Sequence, residues 1–385
     1  VSEDRGEDRD GAREVRAEDA FDAAAVDAWL REHAADWAQP FPEGVPEVRQ
    51  FPGGASNLTY QLTWGEPPGG RQLILRRPPR GVKAKSAHDM GREHRIQAAL
   101  RPVFGRVPRM AAYADPATGE QILGAESGTE FYVMEKLEGT ILRQDLPAGM
   151  SLTREQARTL STRMIDTLVD LHDVDVETAG LADLGRGPGY VARQVTGWTD
   201  RYARARTDDV GDFAEVAAWL AAEQPPDAGM CLIHNDYRFD NVVLGPDLEV
   251  VGLLDWELAT VGDPLMDLGA VVAYWTQGDD DEMFQLFRRQ PTHLPGMLTR
   301  AQVWDHYAAR TGRAVGEGER IFYEAFGLFR LAVIAQQIYY RYVHKQTTNP
   351  SFAVFGTVVN ELQARCERLI ATGDGNATRA QGSSA

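Results

Sequence analysis

The sequence predicts an α+β chain in two lobes, a small antiparallel-sheet N-terminal lobe followed by a larger, mostly helical C-terminal lobe. Three observations carry this expectation. At 385 residues the chain exceeds the roughly 250–300 residues at which a single core stops growing. Between positions 48 and 136, short runs with β character are separated by Gly and Pro turns around one helical run. From about position 142 onward the periodicity turns mostly helical.

Taken in order, residues 1–18 are polar and charged with almost no apolar content and are expected to be disordered. Phe21, Ala24, Ala25, Ala28, Trp29, Leu30 and Trp37 set up an amphipathic helix over 20–37, packed on the first lobe. Strands follow at 48–51, 58–64 and 72–77. The run DMGREHRIQAALR at 89–101 has helical composition and stops before Pro102. Strands at 107–114 and 130–136 complete the sheet, the second feeding a hinge at Leu137, Glu138 and Gly139. Helices are expected at 153–172, 189–206, 212–223, 281–289, 300–310, 318–344 and 351–371, before a small, polar tail. No internal repeat is visible.

Composition excludes several classes. A net charge of -17 argues against nucleic acid or an anionic membrane as partner. No run approaches the roughly 18–20 apolar residues of a membrane span, and an apolar signal core is absent, so a cytoplasmic address is the expectation. Two cysteines, Cys231 and Cys366, make neither a disulfide framework nor a metal pair by spacing and read as buried small hydrophobes.

The chemistry is concentrated in HNDYRFDN at 234–241 and LLDWE at 253–257. An H-x-D-x-x-x-x-N loop supplies a carboxylate that orients and deprotonates a hydroxyl, and an amide oxygen for Mg²⁺ five residues later. Asp236 and Asn241 have that spacing. Apolar pairs at 242–243, 250–251 and 253–254 flank a Gly-Pro-Asp turn and read as two short strands. Asp255 then sits at a strand end as a metal ligand. His234 reads as a histidine that props the loop, since no second ligand stands at metal spacing. Arg238 either steadies the Asp236 loop or touches a transferred phosphate. Glu257 is a further metal or supporting group, and Asp267 an N-cap or loop anchor.

Upstream, FPGGASN at 51–57 joins the first two strands, where Gly53, Gly54, Ala55, Ser56 and Asn57 allow backbone N–H groups close to a triphosphate. Ile74 and Arg76 share one face of the third strand, Ile74 toward adenine and Arg76 toward phosphates. Lys83 or Lys85 are alternatives for that cation. A bland reading makes Arg76 and Arg77 a solubility pair on an edge strand. Glu93 on the crossing helix is either the partner that holds Arg76 toward the nucleotide or a solvated i,i+4 surface charge. In FYVMEKLEG at 131–139, Met134 is expected beside adenine, with backbone groups of Glu135 to Leu137 reading its edge. The chain runs from Asp255 to GDPLMDL almost at once, leaving no room for a peptide-docking segment. A small molecule with a hydroxyl group is therefore the expected acceptor.

The set FPGGASNLTY, LILRRPP, REHR, FYVMEKLEGT, LVDLHDVD, HNDYRFDN, LLDWELATVGDPLMDL and RLAVIAQQIYYRY resembles the aminoglycoside phosphotransferase family, over about 45–371. Its flavour is similar to bacterial proteins related to the kinase domain of the acyl-CoA dehydrogenase 10 and 11 group. The resemblance implies a bilobal protein-kinase-like fold, ATP with Mg²⁺, and transfer of the γ-phosphoryl to a hydroxyl. Carried over by motif, Asp236 is the catalytic base, Asn241 and Asp255 hold the metal, Arg76 is the nucleotide cation and Glu93 its partner. The acceptor classes it implies are aminoglycosides, amino alcohols, sugars and hydroxyacyl-CoA. The domain organisation becomes an acidic tail at 1–18, a nucleotide-binding lobe with a leading helix at 19–137, a catalytic and substrate lobe at 138–372 and a flexible tail at 373–385.

Two rivals stand beside this reading. Arg76 in place of the usual lysine suggests a non-catalytic nucleotide-binding pseudokinase or regulatory module, and Asp236, Asp255 and His234 together suggest a metal phosphohydrolase. Trp198, Tyr202, Tyr274, Trp275, Arg330, Gln337, Tyr340 and Arg341 are candidates for an acceptor pocket, or core residues at helical spacing. Oligomeric state is not legible.

Overall fold

The structure, a computed structural model, describes residues 11–34, 41–52, 57–65, 70–79, 89–124 and 129–375. Gly53, Gly54, Ala55, Ser56, Lys83 and Lys85 lie outside the described residues, as do Trp37 and, of the expected tails at 1–18 and 373–385, residues 1–10 and 376–385. Two compact units are present, the first made of Val1–Glu138 with Val251–Glu257, the second of Gly139–Val250 with Leu258–Ala385.

The first unit is built on a five-stranded antiparallel sheet: β1 (Glu47–Gln50), β2 (Leu58–Trp64), β3 (Arg71–Arg77), β4 (Met110–Ala114) and β5 (Phe131–Glu135). The spatial order is β1-β2-β3-β5-β4. Alternation along β3 divides the core. Leu73 and Leu75 join Tyr60, Leu62, Phe131 and Val133 against Val26, Trp29 and Leu30 of α1 (Ala23–His33). Ile74, Tyr132 and Met134 face the other way, onto Met90 of α2 (Met90–Leu100). Because β3 lies in the middle of the sheet, the edge-strand reading of Arg76 and Arg77 fails, and both side chains are buried.

Two further departures from the sequence expectations occur here. Residues 13–19 of the leading segment are docked on the sheet: Arg13 exchanges both backbone bonds with Gln50 (2.9 and 2.8 Å), and Gln50 Nε2 donates to Asp19 at 2.9 Å. Its polar groups are thus spent on the open edge of β1, which composition alone does not reveal. A short helix, α3 (Pro116–Leu123), also escapes the hydrophobic pattern. Asp115 caps it by accepting from Thr118 N (2.8 Å) with Pro116 at its first turn, so the Asp-Pro pair was the available signal.

The second unit is helical around short strands. Its elements are α4 (Arg154–His172), α5 (Tyr190–Ala205), α6 (Ala214–Ala222), β6 (Cys231–Ile233), β7 (Val242–Leu244), the start of β8 (Val250–Leu253), β9 (Thr260–Gly262), α7 (Pro264–Ala273), α8 (Glu282–Leu286), α9 (Arg300–Thr311), α10 (Glu317–Val343) and α11 (Phe355–Thr372). β6 and β9 pair antiparallel, Leu232 opposite Val261. Every residue of α7 is buried. It meets α10 through glycines: a Cβ on Gly327 would lie 2.3 Å from the Gly269 carbonyl oxygen, and one on Gly269 2.5 Å from that of Tyr323. α10 is long and apolar enough to cross a membrane by length and composition, contrary to the expectation that no run comes close, but 67% of its apolar window is buried inside the protein. It is the core helix of this unit.

Candidate active site

In the first unit the decisive cluster forms around Arg76. One guanidinium nitrogen, Nη1, donates to Glu93 Oε1 of α2 and reaches the Tyr132 hydroxyl at 3.4 Å. Nη2 donates to Asp255 Oδ1 at 3.2 Å. Burial disfavours the charge on Arg76, yet Glu93, Tyr132 and Asp255 together hold its pKa well above the ordinary arginine range. The guanidinium fork is what permits two carboxylates on two nitrogens at once, a geometry that the single ammonium nitrogen of lysine does not offer.

Segment 255–257 is fastened at two more points. Arg92 Nη1 donates to the Glu257 carbonyl at 3.0 Å and Asn57 Nδ2 to Glu257 Oε2 at 3.2 Å. Asp255 itself has φ +67°, an uncommon conformation for a residue with a side chain. Asn57 is buried, its amide turned to Glu257. Ile74 and Met134 are direct cross-strand partners, both nearly buried. The Glu135 N–H is already spent on the Arg109 carbonyl at 2.8 Å, so an adenine edge cannot be read by that group. Leu137 follows β5, half-buried.

The second unit carries the 234–241 loop. His234 is fully buried, and its Nδ1 accepts from the Asp236 N–H at 3.3 Å. Arg238 Nη2 lies 3.2 Å from Asp236 Oδ2 and its Nε 3.2 Å from both Asp236 and Asp240. Arg238 therefore steadies the Asp236 loop. Its guanidinium also sits 4.7 Å from the Tyr274 ring centroid. Asn241 Nδ2 donates to the Asp236 backbone oxygen (2.8 Å) and to its Oδ2 (3.0 Å). Both amide protons of Asn241 point at Asp236, which turns Oδ1 the other way as a free hard-oxygen donor.

What fixes this loop was only half legible. The cap of α7 is Asp263, accepting from Leu265 and Met266 N–H (2.8 and 3.0 Å), so Asp267 is not the N-cap. Asp267 is the loop anchor. From inside α7, fully buried, it accepts from His234 N and Asn235 N, both at 2.8 Å. His172 Nε2 lies 3.2 Å from its Oδ2, and His172 Nδ1 2.8 Å from the Tyr307 hydroxyl. Burial works against a charge at Asp267, but the His172 contact and the backbone donors hold its carboxyl below the usual range. The signal for this arrangement was the D-P-x-x-D spacing at 263–267: one aspartate to start a helix and a second one turn later. His172, Arg92 and Tyr132 stood inside the family-like motifs LVDLHDVD, REHR and FYVMEKLEGT without a role assigned, and Tyr307 left no trace.

Both cysteines are free, and burial pushes both thiols up in pKa. Of the proposed acceptor-pocket residues, Tyr202 and Trp275 are buried core, Trp198, Tyr274 and Tyr340 half-buried, and Gln337 and Arg341 exposed. Among the described residues no three His, Cys, Asp or Glu side chains gather as a metal cage.

A model of the phosphotransferase enzyme family matches residues 47–304. The chain belongs to that family. This phosphotransferase-family chain is 32% identical over 369 residues to acyl-CoA dehydrogenase family member 11 of Gallus gallus, covering 91% of the chain and 44% of the relative. It is 30% identical to the human protein of that name, again over 91% of the chain and 43% of the relative. The chain thus spans less than half the length of these curated relatives. A Ralstonia eutropha structure described as a candidate aminoglycoside phosphotransferase superposes with a TM-score of 0.72 at 30% identity, covering 89% of this chain and 96% of that one. A choline kinase from Cryptosporidium parvum shares the fold at a TM-score of 0.56 and 12% identity, over 91% and 97% of the two chains. The fold is kinase-like and α+β, as the sequence motifs imply.

Proposed function

We propose that this protein is a small-molecule kinase that moves the γ-phosphoryl of Mg-ATP to a hydroxyl group. The observation that carries the reading is the Asp236–Asn241 pair: one side chain with the acceptor-orienting carboxylate is locked to another whose amide oxygen faces away as a donor. Family membership supports phosphotransfer, and ATP with Mg²⁺ extends that reading.

The donor set suits Mg²⁺. For Mg²⁺ the proposed ligands are the Asn241 amide oxygen and the Asp255 carboxylate, hard oxygen donors of the kind that ion takes alongside waters and substrate phosphates. Bound there, the ion would neutralise charge on the phosphate oxygens. Arg76 supplies a permanent positive charge for the phosphates while Glu93 restrains it from behind. Ile74, Met134 and Leu137 are the proposed adenine side, with Glu135 limited to its carbonyl, since its N–H is taken by Arg109, and Gly53, Gly54, Ser56 and Asn57 are the residues assigned to the phosphates from the sequence.

The transfer needs little covalent help from the protein, because alignment and charge neutralisation dominate. The acceptor oxygen forms a bond to the γ-phosphorus as the bond to the β–γ bridging oxygen breaks, and ADP leaves with that electron pair. The acceptor proton passes to Asp236. Arg238 and Asn241 hold the carboxylate in place as it does so. The test is an ADP-release screen over aminoglycosides, hydroxyacyl-CoA esters, amino alcohols and sugars, with Asp236→Asn as the blank. The variant should bind Mg-ATP by calorimetry and lose turnover by about 10²–10⁴-fold. Equal turnover in the two proteins would refute the assignment, and Asp255→Ala should instead weaken Mg-ATP binding.

A further inference from the structure

The loop that carries Asp236 is held from one side by an arginine with no carboxylate of its own. Arg330, on α10, is 8% exposed and donates Nη2 to the Asn235 carbonyl at 2.6 Å, one residue before Asp236. Its guanidinium stacks on Trp198 of α5 at 5.3 Å. A second guanidinium, that of Arg201, lies over the same indole at 4.6 Å. Among the described residues, neither Arg330 nor Arg201 forms an ion pair with any acid.

That is unusual placement for a chain of net charge -17. Buried guanidinium groups are normally matched by carboxylates, because taking the charge out of water is costly. Arg300 and Arg365 follow the rule and share Asp280. Arg330 uses one of five N–H donors on a neutral carbonyl. None of its remaining nitrogens is among the sealed, unsatisfied atoms of the structure, so they open to solvent. Burial and the neighbouring charges of Arg204 and Arg330 lower the pKa of Arg201, as expected of like charges crowded together.

Tyr190 donates to Asn235 or accepts from it (3.3–3.4 Å), and both Tyr190 and Tyr274 feel the charge of Arg330. The nearby acids are already engaged: Asp236 and Asp240 by Arg238, and Asp267 by the His234 and Asn235 N–H groups. What remains uncompensated on this flank of the loop is positive.

We infer that Arg330, Arg201 and Trp198 form an acceptor subsite for an anionic group, a carboxylate or a phosphate ester, carried by the hydroxyl compound that Asp236 deprotonates. This rests on Asp236 being the base. Guanidinium forks suit either anion through two parallel bonds, and the indole supplies an apolar wall. The acceptor class is therefore a hydroxy acid or a phosphorylated alcohol, and a cationic amine is disfavoured by the same charges.

The test separates binding from turnover. Binding of 3-hydroxybutyrate, glycerol 3-phosphate, inorganic phosphate, glycerol and choline to the full chain is followed by ligand-observed NMR, and ADP release is measured with the four alcohols among them. Anions should bind, and Arg201→Gln, an exposed position, should weaken them roughly ten-fold, with Arg201→Glu abolishing the signal. Arg330→Gln should do the same if its melting curve shows it folded. In turnover the Arg201 variants should raise the acceptor KM more than they lower kcat. Inorganic phosphate separates the two sources: competition by phosphate selects the ester, and competition by 3-hydroxybutyrate alone selects the carboxylate. Choline or glycerol binding as well as the anions, or anion affinity unchanged in Arg201→Glu, overturns the inference. Anion binding without any Asp236-dependent ADP release overturns the kinase reading and leaves the subsite standing.

Discussion

Arg76 and Asp255 stand 179 positions apart in the chain, yet their side chains pair at 3.2 Å within one unit. Glu93 holds the other guanidinium nitrogen, so one buried cation bridges a helix, a strand and the returning 255–257 segment.

Replacing Arg76 with methionine leaves Glu93 buried without its counter-charge. The expected loss is about 3–5 kcal/mol at neutral pH, read from urea unfolding. Arg76→Met combined with Glu93→Leu should recover most of it, since an uncompensated buried charge is then removed. A single variant that unfolds at the wild-type urea midpoint would show that the pair carries no strain of this kind.

Asp267→Ala strips acceptors from the His234 and Asn235 N–H groups at once. Each unmet buried donor costs about 1–3 kcal/mol, and the Asp236 loop loses its anchor. Lower thermal stability and lower kcat are both expected, while Asp267→Asn, keeping one acceptor oxygen, should fall between. Wild-type kcat in a folded Asp267→Ala protein would separate this carboxylate from loop positioning.

The α7–α10 crossing allows no side chain. Gly327→Ala places a methyl 2.3 Å from the Gly269 carbonyl oxygen, which forces the helices apart at a cost of about 1–3 kcal/mol or more. Circular-dichroism melts of Gly327→Ala beside Gly316→Ala, a position with only a glutamate side chain nearby at 3.5 Å, provide the contrast. Equal melting points would contradict the contact.

Acid should unfold the second unit through Asp280. Despite burial, Arg300 and Arg365 hold its pKa at about 2, below the ordinary 3.8. A depressed folded pKa contributes stability that is complete above the unfolded value and fades as pH falls from about 4 to about 2, worth roughly 2 kcal/mol in all. Unfolding free energies measured between pH 5 and 2 should drop more steeply in the wild type than in Asp280→Asn. Parallel curves would assign the acid sensitivity elsewhere.

The strands of the first unit were readable because β3 alternates cleanly: Leu73 and Leu75 serve one core, Ile74 and Arg76 the other face. Helices with complete capping boxes, such as that of Thr153 and Gln156, were equally plain. Arg77 was misjudged, since only its tertiary partners, the Tyr60 hydroxyl and the Asp19 carbonyl, explain a buried guanidinium. Asp236 and Asn241 were legible from spacing, being five residues apart, and local hydrogen bonds bring them together. The supports of the loop, His172 and Tyr307, come from α4 and α9, and no short-range pattern encodes contacts over such separations. Asp115 and Asp263, which cap helices beside prolines, were signals present but underused.

Val251–Glu257 rejoins the first unit after the chain has laid down more than a hundred residues of the second. A gene fragment ending at Glu138 would thus encode an incomplete first unit, with Glu93 and Arg76 present and Asp255 missing. Neither unit is a contiguous module that recombination could transplant or a protease could release whole.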